Sequence, residues 1–273
     1  MKWENLMTMY ASTGKPQTQQ RKHNEFKMPR WNQLRHSDIT ETTGCDFLEL
    51  LNNGGSMTQV YLSALQQLAI DLGARSHVVL PKKMFPKKVK VIKRAVTLDE
   101  HRMLCSNLHS YRWSCYLDLL WETGAAQSDA ASFRIEDMDG DVLVYRRHKT
   151  GSRAAQHLSE KVKALLNSLK YGRSKGLFMP AIEKINSKDR ASIFRRLCKR
   201  CDIEGITLHS YRYAWAERAF QAGMPERLAM VALGHNSSAI HRVYAKGARL
   251  VAPSLDDYSP EGNPAVIKKI PTN

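Results

Sequence analysis

The spacing of apolar residues divides the first eighty positions into a polar arm and a helical unit. Residues 1–29 are rich in Gln, Lys and Thr and lack a regular apolar period, which predicts a flexible N-terminal arm. Apolar residues recur at helical spacing over positions 60–72, and Gly73 stands where such a helix would end. We therefore expect residues 30–80 to form a small all-helical domain.

A change of period marks a short β segment within an otherwise helical second part of the chain. The run Val142-Leu-Val-Tyr145 is typical of a strand, and turn-forming residues stand on both sides of it, at 137–141 and 149–152. The apolar positions before and after it return to the helical interval. We predict a mainly α domain with one small antiparallel β-sheet, an α+β arrangement, over residues 96–247. A tail with four prolines follows at 248–273.

Charge changes this picture at the junction between the two predicted domains. The chain has 42 Lys and Arg against 26 Asp and Glu, a formal net charge of +16 that favours a polyanionic partner such as nucleic acid. Seven basic residues and no acidic one stand within the predicted linker, 81–95. A solvated linker and a strap that binds DNA phosphates are both compatible with this composition. The candidate DNA-binding residues of the linker are Lys82, Lys83, Lys87, Lys88, Lys90, Lys93 and Arg94.

Several classes of protein do not fit the sequence. It has no run of about 18 apolar residues, and its first residues have no apolar segment typical of a signal peptide, so we expect no membrane association. Five cysteines form no even framework for disulfides, which favours the cytoplasm, with the protein at the nucleoid through DNA. There is no glycine-rich phosphate loop and no acidic cluster at metal spacing, so we expect no cofactor and no metal.

Three segments near the C-terminus, and two further upstream, together suggest one chemistry. His209-Ser-Tyr-Arg212 stands at a predicted helix start, Leu233-Gly-His235 follows it, and Tyr244 comes nine residues later. In this order and spacing the segments resemble the signature of the tyrosine recombinases, the phage-integrase family. Lys149 stands in a predicted β-turn where that family has a lysine, and Thr123–Asp129 resembles its first motif. The resemblance is specific over residues 123–244 and loose over 30–80.

The resemblance implies a role for each motif residue. Tyr244 would attack a DNA phosphorus and form a 3′-phosphotyrosyl link. Arg212 would hold the non-bridging oxygens, and His209 and His235 would donate hydrogen bonds or transfer protons. Lys149 would protonate the leaving 5′ oxygen.

The resemblance also implies an architecture and a substrate. Asp129 would support the catalytic residues without contacting the reacting phosphate. A helical core-binding domain and a catalytic domain would form a two-lobed clamp round double-stranded DNA. The enzyme would be a site-specific recombinase or integrase, acting as a homotetramer on two DNA sites to integrate or excise a mobile element. It would need no cofactor, because the phosphotyrosine conserves the bond energy.

The first motif departs from the family pattern at one position. Ala126 stands where the family has an arginine. Gln127 could reach the phosphate as a neutral donor while another cation supplies the charge, and Arg134, Arg146, Arg147 or Arg153 could be that cation. Ala126 could instead be an engineered change that traps a complex. The chain could also be a DNA-binding relative that no longer cleaves.

Two functions of other classes therefore remain beside the active recombinase. A type IB topoisomerase would share the tyrosine chemistry but relax one duplex without a special site. A catalytically impaired relative would bind a specific DNA site and leave it uncut. The sequence does not specify the DNA target, nor whether integration, excision or resolution is the outcome.

Overall fold

Helices dominate both units into which the chain divides, in keeping with the helical spacing of its apolar residues. The computed structural model describes residues 1–87 and 93–248. Contacts between Cα atoms separate an N-terminal unit, Met1–Val91, from a C-terminal unit, Ile92–Asn273. The predicted tail, apart from its first residue, lies outside the described residues.

The N-terminal unit is a bundle of helices around an aromatic core. Its core includes Trp3, Trp31 and Phe47, which are fully buried, and the rings of Trp3 and Phe47 meet edge to face at 5.4 Å. Among the described residues its α-helices are α1 (Trp3–Ala11), α2 (Pro16–Phe26), α3 (Asn32–His36), α4 (Gly44–Asn52) and α5 (Ser56–Asp71).

The prediction of a flexible arm over residues 1–29 is wrong. Helices α1 and α2 occupy this segment, and α1 buries an apolar stripe headed by Trp3 and Leu6 in the core of the unit. The Trp3 indole also donates a 2.7 Å hydrogen bond to Thr42 Oγ1. Phe26 of α2 packs in the same core. The Lys22 ammonium of α2 also donates a 2.8 Å hydrogen bond to the carbonyl oxygen of Tyr10. A few well-spaced apolar side chains outweigh the polar composition of the segment.

The C-terminal unit combines helices with a three-stranded sheet, which confirms the predicted mainly α fold with a small antiparallel sheet. The strands β1 (Met138–Asp139), β2 (Val142–Arg146) and β3 (Arg153–His157) pair antiparallel in that order. The described helices are α6 (Leu98–Ser106), α7 (Tyr111–Thr123), α8 (Gln127–Ala131), α9 (Glu160–Lys170), α10 (Pro180–Glu183), α11 (Ser187–Arg200), α12 (Ser210–Gln221), α13 (Glu226–Leu233) and α14 (Ser238–Ala245).

Local sequence signals account for the bounds of several of these helices. Thr97 begins α6 with a capping box, in which Thr97 Oγ1 accepts from the Glu100 amide and the Glu100 carboxylate accepts from the Thr97 amide. Ser159 caps α9 through its hydroxyl. Helices α7 and α13 both end at a glycine in the left-handed conformation, Gly124 and Gly234.

Two apolar clusters organise the described part of the C-terminal unit. The larger one surrounds α7 and includes Cys198 of α11. The smaller one joins α12 and α13 through Trp215, Ala219 and Leu233, and Tyr244 of α14 packs against it. The second cluster therefore holds α14, with its tyrosine, against α12 and α13. None of the helices in the described ranges is long and apolar enough to cross a bilayer.

Gly124 provides a test of how tightly α7 and α12 pack. Its φ is +60°, and a Cβ there would lie 2.7 Å from Trp215 Cβ. Gly124→Ala should lower the free energy of unfolding by about 2–5 kcal/mol, because left-handed strain adds to overpacking. Gly223→Ala is the matched control, since its φ is +73° but no atom lies within 4 Å of the added Cβ. The control should lose about 1–2 kcal/mol from strain alone. Equal losses in urea unfolding would contradict this packing argument.

Candidate active site

A fully buried guanidinium occupies the centre of the site. Arg212 stands in the first turn of α12 and has no exposed surface. Its Nη1 donates to the carbonyl oxygen of Gly124 at 2.9 Å, its Nη2 to the carbonyl oxygen of Leu233, and its Nε to His235 Nε2 at 3.2 Å. Burial, followed by the charge of Arg147, lowers the Arg212 pKa to about 10, so this arginine stays charged at neutral pH. Arg212 thus joins α7, α12 and α13 around one positive charge.

Two neighbours of His235 determine which of its ring nitrogens has the proton. Its Nε2 accepts the hydrogen bond from Arg212, and its Nδ1 lies 3.2 Å from Nδ1 of His241. The neutral ring must therefore have its proton on Nδ1 and donate it to His241. Burial and the Arg212 charge lower the His235 pKa to about 3, and burial also lowers the pKa of His241. His235 is consequently a neutral acceptor that orients Arg212.

Tyr244 presents its hydroxyl to a histidine while its ring packs on the same cluster. Its Oη lies 2.9 Å from His209 Nε2. The ring stacks on His235 with centroids 4.8 Å apart, lies 4.7 Å from the Tyr213 ring, and has Arg212 Cζ 5.5 Å from its centroid. A phenol in water has a pKa of about 10, so a nucleophilic tyrosine needs both a proton acceptor and nearby positive charge. Both are present here.

His209 is the proton acceptor in this arrangement. It is the N-cap residue of α12, and burial together with the charges of Arg212, Lys93 and Lys149 lowers its pKa to about 4. The ring is therefore neutral at neutral pH, and its Nε2 can accept the hydrogen bond of the Tyr244 hydroxyl. This geometry fits a general base that works on the phenol.

The start of α8 and the turn between β2 and β3 bring two further groups to the site. Asp129, in the first turn of α8, is buried; its Oδ1 accepts from the backbone amide of His148 at 2.9 Å, and its Oδ2 lies 3.6 Å from Arg147 Nε. The turn is closed by a hydrogen bond from the Gly151 amide to the carbonyl oxygen of Arg147 at 2.8 Å. Lys149 lies exposed in this turn. Asp129 thereby braces the loop that contains the candidate general acid.

Comparison with known proteins identifies this arrangement. Residues 91–249, more than half of the chain, match the family model described as the phage integrase family. The chain belongs to the phage integrase family. Members are tyrosine recombinases, so the chain is a DNA-binding strand transferase and a site-specific recombinase. The curated proteins include no sequence that matches it.

Solved structures of other integrases share the fold. A lambda integrase dimer bound to a COC′ core site is 18% identical with a TM-score of 0.76, and the match covers 93% of this chain and 79% of that one. The Tn1549 transposon integrase in complex with circular intermediate DNA is 15% identical with a TM-score of 0.72, and the match covers 94% and 98%. A lambda integrase tetramer bound to a Holliday junction is 18% identical with a TM-score of 0.72, and the match covers 93% and 79%.

The integrase brings together most of the residues expected from its motifs. Contacts link His209, Arg212, His235 and Tyr244 directly, and Asp129 and Lys149 belong to the adjoining turn. His241 completes the cluster behind His235; its spacing of six residues from His235 is a weak sequence signal, although it falls on the buried side of α14.

Gln127 lies beside the departure in the first motif. Ala126 is the N-cap residue of α8, and Gln127 follows it with its Oε1 buried and without a hydrogen-bond partner among the described residues. Its backbone carbonyl accepts from the Tyr116 hydroxyl at 2.8 Å. The contacts of the Arg212 cluster within the described ranges do not include Gln127, so its role at the phosphate stays a prediction.

The basic linker residues differ in their surroundings. Lys82, Lys83, Lys87 and Lys93 are exposed, and Lys88 and Lys90 lie outside the described residues. Lys93 is near enough to His209 for its charge to lower that histidine's pKa. Arg94 instead binds both carboxylate oxygens of Glu100, at 2.8 and 2.7 Å, which supports the start of α6.

One group of three possible metal ligands occurs among the described residues, away from the motif cluster. His101 Nε2 lies 3.2 Å from Asp118 Oδ1, its Nδ1 lies 3.3 Å from the Tyr211 hydroxyl, and Cys105 Sγ lies beside the ring. The His101 ring also stacks on Trp121 at 4.7 Å. Burial raises the pKa of Cys105 to about 11, so the thiol stays protonated. Hydrogen bonds and stacking satisfy this histidine without an ion.

The neutral histidines predict how stability depends on pH. Unfolded histidine titrates near pH 6.5, whereas the folded pKa of His209 is about 4 and that of His235 about 3. Below pH 6.5 the unfolded chain binds more protons, so the free energy of unfolding should fall by up to about 1.4 kcal/mol per pH unit for each histidine. Above pH 6.5 this contribution is fully present.

Urea unfolding at pH 7, 6 and 5 measures this effect. His235→Asn should flatten the slope between pH 6.5 and 5, because it removes one of the two groups. His109→Asn, at an exposed histidine, is the control and should leave the slope unchanged. A slope in His235→Asn equal to that of the unsubstituted protein would show that His235 is not kept neutral.

Proposed function

We propose that this integrase cleaves and rejoins DNA at specific sites through a 3′-phosphotyrosyl intermediate on Tyr244, and that it integrates or excises a mobile element. The observation that carries this proposal is the 2.9 Å contact between the Tyr244 hydroxyl and a neutral His209, next to the buried charge of Arg212. A nucleophile, its base and a permanent cation lie together, as transfer of a phosphoryl group requires.

The cleavage step follows from these groups. Tyr244 Oη forms a bond to the phosphorus as its proton passes to His209 Nε2. The bond between phosphorus and the 5′ oxygen breaks, and Lys149 gives that oxygen a proton, so the strand leaves as a free 5′ hydroxyl. Arg212 stabilises the negative charge on the non-bridging oxygens. His235 keeps the Arg212 guanidinium in position.

Rejoining is the reverse of the same step. A 5′ hydroxyl from a second strand attacks the phosphotyrosine, Lys149 accepts its proton, and the Tyr244 phenolate leaves and recovers its proton from His209. The energy of the broken phosphodiester is conserved in the phosphotyrosyl bond, so no nucleotide cofactor enters the cycle. Site-specific strand exchange needs this reversibility.

We further propose that a homotetramer acts on two double-stranded DNA sites in the cytoplasm, at the nucleoid. The net charge of +16 supports DNA binding, and the lambda integrase is described as a tetramer on a Holliday junction. Exposed apolar side chains on α13 and α14 support contacts between subunits; they are Leu228, Val231, Ile240 and Val243.

Ala126 favours a second candidate, a catalytically impaired relative that binds its site and leaves it uncut. A missing donor at a reacting phosphate typically costs about 10²–10³ in rate. The two candidates differ in whether a covalent adduct forms, and DNA binding alone does not separate them.

Tyr244→Phe is the decisive variant for the proposed function. The DNA site is first selected from a random duplex pool by binding to the purified integrase, and a nick is then placed beside the cleavage position so that the cut strand diffuses away. The unsubstituted protein should give a covalent protein–DNA band on a denaturing gel. Tyr244→Phe should bind the same DNA and give no band, because the attacking oxygen is gone.

Tyr213→Phe is the matched control, because Tyr213 is the neighbouring tyrosine and its ring lies 4.7 Å from that of Tyr244. It should still form the adduct. A band from Tyr244→Phe would exclude Tyr244 as the nucleophile. Tight binding by the unsubstituted protein with no adduct would favour the impaired relative.

A further inference from the structure

The reacting phosphate needs more positive charge than Arg212 alone supplies. A phosphodiester has one negative charge, and attack by a phenolate adds a second in the transition state. His209 and His235, with pKa values of about 4 and 3, are neutral before the reaction at neutral pH, and His209 gains a charge only by taking the Tyr244 proton. Of the five N–H donors of Arg212, three already bind Gly124, Leu233 and His235. Ala126 provides no cation, and Lys149 gives its proton to the leaving oxygen, so a second permanent charge would come from another side chain close by.

Arg147 lies between the motif segments. It follows β2 directly, and its amide donates to the carbonyl oxygen of Ser152 at 2.9 Å, which holds the backbone of the turn. Its side chain is 11% exposed, and its Nη1 donates to the carbonyl oxygen of Gly234 at 3.0 Å. Gly234 directly precedes His235, so the Arg147 guanidinium is anchored to the segment that orients Arg212.

The absence of a side chain at position 234 makes room for Arg147. A Cβ on Gly234 would lie 2.7 Å from Arg147 Cδ, so the arginine stem packs directly on this glycine. The carboxylate of Asp129, 3.6 Å from Arg147 Nε, balances part of the charge without a hydrogen bond. The buried Nε has no hydrogen-bond partner among the described residues. The described residues take one hydrogen bond from this guanidinium, that of Nη1 to Gly234, so other donors of the group are available for an oxyanion.

The effect of the Arg147 charge on its neighbours agrees with this position. It contributes to the lowered pKa values of Arg212, His209 and His235. Three of the groups that contact the nucleophile therefore experience this one cation.

The other arginines considered for this role have different surroundings. Arg134 pairs with Glu136 at 3.1 Å and is half exposed. Arg146 is exposed and donates to the carbonyl oxygen of Gly151 at 3.4 Å. Arg153 is exposed and stands opposite Arg146 in the sheet. Of these four arginines, Arg147 is the one that is largely buried against the motif cluster.

We propose that Arg147 is a catalytic residue that binds the reacting phosphate and supplies the second guanidinium, in place of the arginine that Ala126 replaces. This inference rests on the proposed function, because it assumes that Tyr244 attacks a phosphodiester. Lys149, in the same turn, then remains free to protonate the leaving oxygen. One loop thereby provides both a charge for the transition state and a proton for the leaving group.

Arg147→Gln tests the proposal, because glutamine keeps the stem from Cβ to Cδ that packs on Gly234 but removes the charge. With the nicked duplex, the rate of adduct formation should fall by about 10²–10³. DNA affinity should stay close to that of the unsubstituted protein, because the other basic residues still bind the DNA backbone, and thermal unfolding shows that the variant is folded. Arg146→Gln, at the adjacent exposed arginine, is the control, and its adduct rate should stay close to that of the unsubstituted protein. If Arg147→Gln does not fold, Arg147→Met replaces it, because methionine preserves the apolar stem on Gly234.

A neutral substrate separates a catalytic role from a structural one. In a methylphosphonate, a methyl group replaces one non-bridging oxygen and removes the negative charge at the reacting position. If Arg147 neutralises that charge, the defect of the Arg147 variant relative to the unsubstituted protein should shrink by about tenfold or more on this substrate. A structural defect would be equally large on both substrates, which would overturn the assignment.

Restoring an arginine at the first motif provides a further comparison. Ala126→Arg in the Arg147→Gln background should recover adduct formation, because a guanidinium is returned to the phosphate. No recovery, with folding intact, would count against a shared role for the two positions.

The two proposals fail in different ways. An Arg147 variant that forms the adduct at the rate of the unsubstituted protein overturns this inference and leaves Tyr244 as the nucleophile. If the unsubstituted protein forms no adduct with DNA that it binds, the proposed function is wrong and this inference fails with it.

Discussion

The burial of one guanidinium determines how the catalytic unit is built. A charged group without access to water must find acceptors for its donors, or the folded state loses several kcal/mol. Arg212 finds them in the carbonyl oxygens of Gly124 and Leu233 and in the ring of His235. Two of these acceptors stand where α7 and α13 end, and the third follows directly. The ends of two helices are thus fixed relative to the start of α12 by electrostatics as well as by packing.

The same burial separates charged groups from neutral ones around the nucleophile. Desolvation, together with the Arg212 charge, keeps His209 and His235 neutral, so one can accept a proton and the other can accept a hydrogen bond. The permanent positive charge beside the nucleophile is that of Arg212, whose guanidinium stays protonated at neutral pH. A site of this kind binds an anion strongly while it keeps a base available, which is the combination that attack by a phenol requires.

Much of the site could be predicted from the sequence. Helix starts, left-handed glycine caps and the order of the motif segments are local features, so His209, Arg212, His235 and Tyr244 were found from their spacing and the family resemblance. The identity of the second cation could not be found in this way. It depends on the packing of Arg147 against Gly234, which is 87 residues away, and no local pattern encodes such a contact.

In the N-terminal segment, composition alone predicts the wrong local structure. The polar composition of residues 1–29 predicts an arm. The few apolar residues within the segment nevertheless determine its fold. Trp3 and Leu6 are fully buried nevertheless, because two large side chains on one helical face bury enough apolar surface to order the segment. The sequence contains the spacing of Trp3 and Leu6. The burial of these side chains depends on residues far away in the sequence that pack around them.

The identity of the nucleophile is the central claim, and mass spectrometry of the trapped adduct tests it most directly. After digestion with trypsin and nuclease, the nucleotide should be attached to the tetrapeptide Val243–Lys246, which contains Tyr244 as its one tyrosine. The competing peptide, Tyr213–Arg218, begins with the tyrosine that packs against Tyr244. A nucleotide on Val243–Lys246 is the result that this account predicts. A nucleotide on Tyr213–Arg218 would contradict it.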